Sequence, residues 1–207
     1  EALLSGLLEM WKDKEALDTR ALEVKMNEGA ELLRQRDRDE HALLNRLEQN
    51  PQIKEIALGR GNITHSRMQW TRPVENGESV IFGVYVVSWN FLKTMGIDIV
   101  DGRDFLPSDE HSATGALIFN EQASKELGIT VGEQINGHLD NANTPIVGIC
   151  KDFCFQSAHY GITPYAFLVY GKYGWDQPRI AYIRTVAGAD IAEVRKFITD
   201  TVLEISP

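Results

Sequence analysis

The 207-residue chain has only two cysteines and a deficit of basic charge. Its 21 Lys and Arg stand against 30 Asp and Glu, for a formal net charge of -9. A surface that tracks phosphates needs clustered Lys and Arg to displace counterions, so the charge balance argues for no nucleic acid among its partners. Long apolar runs are also missing. The longest stretches, Val80 to Val87 and Tyr165 to Tyr170, fall far short of the roughly 20 residues that span a bilayer, so no transmembrane helix is expected within the chain. It begins at Glu1 without a basic-then-apolar leader, and the expectation is that something has been cut away in front of Glu1. Disorder is excluded by composition, with 43% hydrophobic and 25% charged residues. A chain of this size buries roughly 70% of its unfolded surface and needs no metal or disulfide to fold.

Chemical motifs are scarce as well. Cys150 and Cys154 are four apart; on a strand their Cα atoms lie roughly 13 Å apart, beyond the reach of a disulfide unless a turn intervenes. Two free, packed thiols are expected. The five histidines form no HxxxH or HxH pair and none stands near a cysteine at zinc-site spacing. Gly59-Arg60-Gly61 begins a dinucleotide fingerprint that breaks at Thr64. No P-loop or G-x-S-x-G elbow is present. No metal, cofactor or catalytic residue is assigned. Among the carboxylates, Asp101 and Asp104 flank Arg103 and read as an ion-pair and turn arrangement. Asp152 reads as an acceptor for amides of the turn that follows it.

What is present is a mixture of helical and strand patterns. Helices are expected over 2–14 and 37–50, after a Ser88 cap, after an Asn120 cap, and after Asp190 with Glu193 three residues on. In the last of these, Ile191, Val194, Ile198, Thr201, Val202 and Ile205 fall on one face. Strands are expected over 19–26, 53–58, 63–70, 79–87, 97–99, 116–119, 134–139, 145–153, 165–170 and 179–185, with a polar loop from Pro107-Ser108-Asp109 and a turn at Asp140-Asn141. The interleaving makes the class α+β (mixed α/β). Tyr160, Tyr165, Tyr170, Tyr173 and Trp175 crowd a stretch rich in Gly and Pro. Tyr160, Tyr165, Tyr173 and Trp175 are candidate partner contacts, because Tyr and Trp offer rigid area at low entropic cost; the other reading has such rings covering the final sheet.

One order of features is specific. Ser88-Trp89-Asn90-Phe91-Leu92-Lys93-Thr94-Met95-Gly96-Ile97 leads to Gly102-Arg103-Asp104-Phe105. Ala116-Leu117-Ile118-Phe119-Asn120-Glu121 follows, then Ile146-Val147-Gly148-Ile149-Cys150-Lys151-Asp152-Phe153, then Pro164. This order resembles the extracytoplasmic core domain of MacB/FtsX-like ABC transporter permeases, over roughly residues 37 to 206. Cys154 stands where many members carry His, and the first 35 residues are hard to align. The resemblance implies structural roles for Gly102, Arg103, Asn120, Gly148, Asp152 and Pro164. It implies a two-lobed insertion between the first two transmembrane helices of a multi-pass bacterial inner-membrane protein, facing the periplasm. β-α-β units from both chain ends, 1–84 and 145–207, would form one lobe, with a smaller lobe, 85–144, inserted. Glu1 and Pro207 would mark where those helices were trimmed. The implied partners are a cognate ABC ATPase reached through the transmembrane region, a second permease subunit, and a periplasmic partner or cargo protein. The implied role is non-catalytic: coupling ATP hydrolysis to movement outside the membrane for export, lipoprotein release or partner activation. An extracellular small-molecule sensor domain is the alternative, and a hydrolase the third reading.

Overall fold

A computed structural model describes residues 35, 37–63, 68–73, 79–136, 143–154, 161–171 and 180–205. Its first half runs α1 (37–48), β1 (Ile53–Gly59), β2 (Gln69–Pro73), β3 (Ser79–Val86), α2 (Phe91–Met95), β4 (Ile99–Gly102) and α3 (Pro107–Glu110). β5 (Ala116–Asn120), α4 (Glu121–Leu127), β6 (Gln134–Asn136), β7 (Asn143–Cys150), β8 (Tyr165–Val169), β9 (Ile180–Thr185) and α5 (Ile191–Ile205) follow. The α+β class read from the sequence holds. The expected helix over 2–14, the strand over 19–26 and the Asp140-Asn141 turn lie outside the described residues.

Contacts group the chain into two units, 54–186 and 1–53 with 187–207. This differs from the expected lobes, 1–84 with 145–207 around an inserted 85–144. Strand pairing is the reason. β5, which the inserted lobe was to hold, lies between β8 and β7 in one mixed sheet of order β2-β3-β8-β5-β7-β4, with β6 also on β7. β3 with β8 and β5 with β7 run parallel, and the other pairs are antiparallel. β1 and β9 make a separate two-stranded sheet.

Side chains of the central strands alternate between two apolar layers, as a period of two requires. Phe82, Val84, Val86, Leu117, Phe119, Ala166 and Leu168 share one layer with Ala123 and Leu127 of α4. Tyr85, Val87, Ala116, Ile118, Phe167 and Val169 share the other with Phe91 and Leu92 of α2. With both faces covered, β5 and β8 are buried at every position, which is why they read as unbroken apolar runs. Phe91 seals the second layer, its ring 5.2–5.8 Å from those of Tyr85, Phe167 and Tyr182. Gly96 and Gly128 end α2 and α4 with φ of 74° and 62°, the left-handed C-cap that favours glycine.

In the unit formed by the chain ends, α1 stops at Asn50-Pro51, and the Asn50 side chain accepts the Gln52 amide at 2.9 Å. Asp190 caps α5 as expected, accepting from Ala192 N and Glu193 N at 2.9 and 3.1 Å. The reciprocal half of the capping box is supplied by Gln52. Its amide oxygen accepts Asp190 N at 2.7 Å and its Nε2 donates to Glu193 at 2.8 Å. The buried positions of α5 are Val194 and Thr201, with Phe197, Ile198 and Ile205 half-buried. Ile191 and Val202, placed on that face from the sequence, are exposed, because the stripe centred on 194 and 201 leaves them at its margins.

Three local expectations change. β2 begins at Gln69 rather than 63 and extends to Pro73, which an end strand of a sheet tolerates. Pro107-Ser108-Asp109 opens a helical turn, α3, rather than a loop. Asn90, not Ser88, stands at the N-cap of α2.

Candidate functional site

The motif residues gather at two places in the 54–186 unit. At the first, Gly102 and Gly148 face each other across β4 and β7. Gly102 has φ of 72°, and a Cβ there would run into the Val147 carbonyl and the Gly148 Cα. A Cβ on Gly148 would overlap the Arg103 carbonyl. Two backbones therefore approach more closely than side chains permit. Arg103 N closes the ladder on Val147 O at 2.9 Å.

The Arg103 guanidinium then folds onto α3. It donates to both carboxylate oxygens of Asp109 at 2.8 and 2.9 Å and to the Asp104 carbonyl at 2.9 Å. Asp109 also accepts Leu106 N at 2.8 Å. Burial pushes the Asp109 carboxyl up, but the Arg103 hydrogen bonds, the Leu106 amide and the Arg103 charge hold it below the usual carboxylate range. The flanking acids are not the partners expected of them. Asp101 accepts the Gly102 amide and Asp104 the Phe105 amide, and burial raises the Asp104 carboxyl. Asp109 falls where the sequence predicts a loop. The signal that marks it is Pro107 at a first helical position with an acid two residues later.

At the second place, Asn120 joins three segments. Its Oδ1 accepts Ala123 N at 3.1 Å, capping α4, and Tyr165 N at 2.9 Å. Its Nδ2 donates to Thr163 O at 3.0 Å. Asp152, whose following turn lies largely outside the described residues, bonds another element. It reaches across to the start of α4, where Oδ1 accepts Gln122 N at 2.9 Å, while Asp152 N donates to Glu121 at 3.2 Å. A carboxylate at a helix N-terminus is favoured by the dipole. Pro164 is buried, and its carbonyl accepts Gly83 N at 3.0 Å as β8 begins beside β3.

Tyr165 is a core residue, not a surface contact. It is 5% exposed, its ring lies over Gly83, where a Cβ would collide with it, and it stands 5.6 and 5.9 Å from the rings of Phe153 and Phe167. Tyr170 is buried as well. Tyr160, Tyr173 and Trp175 lie outside the described residues. Neither Cys150 nor Cys154 is in a disulfide. Burial first, then the negative charges of Asp152, Asp104 and Glu121, push the Cys150 thiol up to about 12, so it stays protonated and inert at neutral pH. Cys154 is exposed, which corrects the expectation that both thiols are packed.

Among the described residues no His, Cys, Asp and Glu are grouped to hold a metal ion, and no helix is long and apolar enough to cross a membrane. Arg103, Asn120 and Asp152 bond protein groups and tie strands to helices. Their arrangement suits a stiff body in which the ends of β4, β5 and β7 and the start of β8 are fixed to one another.

Known structures share this fold. The periplasmic region of MacB from Actinobacillus actinomycetemcomitans is similar with a TM-score of 0.57 at 12% identity, over 78% of this chain and 71% of that one. The extracellular domain of the noncanonic ABC-type transporter YknZ from Gram-positive bacteria is similar with a TM-score of 0.56 at 16% identity, over 78% and 81%. No curated protein matches the sequence. The family described as the MacB-like periplasmic core domain matches residues 4–201, and the chain belongs to that family.

Proposed function

We propose that this chain is the extracytoplasmic domain of an ABC transporter permease and acts as a non-catalytic mechanical element. It passes movement driven by cytoplasmic ATP hydrolysis to the outer side of a bacterial inner membrane. The observation that carries this reading is the family match across residues 4–201. The motif residues support it, because their polar groups are engaged in joining strands and helices. The cognate ATPase acts through a transmembrane region, a second permease subunit completes the assembly, and a periplasmic partner or cargo protein receives the movement. The output is export, lipoprotein release or activation of that partner.

The test is hydrogen exchange on the full-length permease with its ATPase in nanodiscs, with and without a non-hydrolysable ATP analogue. Nucleotide is expected to change exchange in α1, α5 and the β1–β9 pair while β5 and β8 stay protected. An outer domain whose exchange is the same in both states, with nucleotide bound, would overturn the proposal.

A further inference from the structure

The chain passes between its two units twice, at 53–54 and at 186–187. Both passages enter the 54–186 unit through β1 and β9, which pair with each other outside the seven-stranded sheet. The covalent connections between the chain ends and the 54–186 unit therefore run through this ribbon. How the ribbon is attached decides what moves with it.

The attachment has an unusual construction. Gly59 bridges Val87, Arg60 N donates to Val86 O at 2.9 Å, and Ser88 N donates to Leu58 O at 2.9 Å. This is an antiparallel ladder in which 59 faces 87 and 58 faces 88. At Ser88 the backbone leaves the strand, because its carbonyl is taken by Phe91 N at 3.1 Å as α2 begins. The ladder nevertheless continues in the same register through side chains. Leu58 N donates to Ser88 Oγ at 2.8 Å in place of the lost carbonyl. Asn90 Nδ2 donates to Ile56 O at 2.7 Å, where a strand would offer its own amide. Ser88 Oγ in turn donates to Asn90 Oδ1 at 2.8 Å, locking the two side chains together.

The other strand of the ribbon is fixed separately. The Tyr182 hydroxyl donates to Gly61 O at 2.9 Å and accepts Ile63 N at 3.1 Å, and it meets the buried Tyr85 hydroxyl at 2.8 Å. Arg184 Nη1 donates to the last carbonyls of α2, Lys93 O and Thr94 O, at 3.2 Å each. Lys93 pairs with Glu55 at 2.9 Å. Polar side chains thus carry much of the ribbon's connection to β3 and α2. Each bond of this kind is worth little alone, and together they decide whether the ribbon opens separately.

We propose that the β1–β9 ribbon is the input arm of the 54–186 unit, and that Ser88 and Asn90, continuing its ladder onto α2, are the joint that makes it move with the sheet. Ser88 and Asn90 are positioning residues in this scheme. The assignment rests on the coupling role proposed above; the joint itself is testable without it. In the 207-residue chain, the double variant Ser88→Ala with Asn90→Ala is expected to speed exchange of the Leu58, Arg60 and β9 amides at least about tenfold, since two to three partly buried hydrogen bonds are lost. The β5 and β8 amides keep their wild-type rates. Unchanged ribbon exchange, or ribbon and sheet accelerating together, overturns the joint. Should the double variant fail to fold, Tyr182→Phe provides the same comparison at the other strand.

A second arm uses the full-length complex with the nucleotide analogue. The wild type is expected to show changes in the ribbon and at the β3–α2 junction together, and the double variant in the ribbon alone. A wild type that does not respond defeats the coupling role. A variant that responds as the wild type does defeats the joint.

Discussion

Asn120→Ala removes a side chain that is 1% exposed and makes three hydrogen bonds. Two of its partners, Ala123 N and Tyr165 N, are donors within the buried meeting point of β5, α4 and β8. A buried donor stripped of its acceptor costs about 1–3 kcal/mol, and loss of an N-cap alone costs about 1 kcal/mol. The Ala123 amide is counted in both, so the expected loss is about 3–5 kcal/mol once Thr163 O is included. A domain typically holds only about 5–15 kcal/mol in all. Asn120→Ser separates the contributions. Its hydroxyl still caps Ala123 N but is too short to serve Tyr165 N and Thr163 O, so about half the loss is expected. The assay is urea unfolding followed by pulsed hydrogen exchange of the β5 and β8 peptides, which reads the 54–186 unit by itself. A loss below about 1 kcal/mol for Asn120→Ala would contradict this role, since the buried amides would then have found other partners.

Gly148→Ala drives a Cβ into the Arg103 carbonyl, and backbone on both sides limits relief. A loss of at least about 2 kcal/mol is expected in urea unfolding, and a neutral result would contradict the close approach of β4 and β7. Asp109, held below its usual value, adds stability that is complete above the unfolded pKa of about 3.9 and disappears as pH falls through the lower folded one. Asp104 is raised and has the opposite sign: its contribution is complete below the unfolded pKa and is lost as pH rises through the folded one. Acid titration of stability should therefore be flatter in Asp109→Asn and steeper in Asp104→Asn than in the wild type; identical profiles would contradict both assignments. A thiol reagent at pH 8 should label Cys154 quickly and Cys150 only on unfolding, since one is exposed and the other buried. Two fast thiols would show that the Cys150 site opens.

The elements that could be read from the sequence are those whose causes are local. β5 and β8 announce themselves as short apolar runs between turn residues, and Gly96, Gly128 and Asp190 mark helix ends through their own conformational and capping preferences. The residues of the motif order, Gly102, Arg103, Asn120, Gly148, Asp152 and Pro164, lie at two places in the 54–186 unit. What each bonds was not legible. The Arg103 guanidinium reaches Asp109 only because the chain bends through 104–107 into α3. Asn120 meets Tyr165 N across 45 residues, a distance closed by strand pairing alone. From the sequence Tyr165 is either a partner contact or a ring covering the final sheet, and it is buried, because a strand covered on both faces has no outward side. The pairing of β5 with β7 and β8 is likewise hidden from any local pattern, because strand order is a property of the whole sheet. Ser88 resembled an N-cap by residue type; its hydroxyl instead replaces a backbone carbonyl in the ladder to β1.

The proposal at the centre is that the domain moves with nucleotide state. Spin labels on the exposed Lys125 of α4, one in each of two permease copies of the full-length complex in nanodiscs, test it most directly. The distance distribution between the labels is expected to shift when the non-hydrolysable ATP analogue binds and to return when it is washed out. A distribution that stays the same with nucleotide demonstrably bound to the ATPase would contradict it.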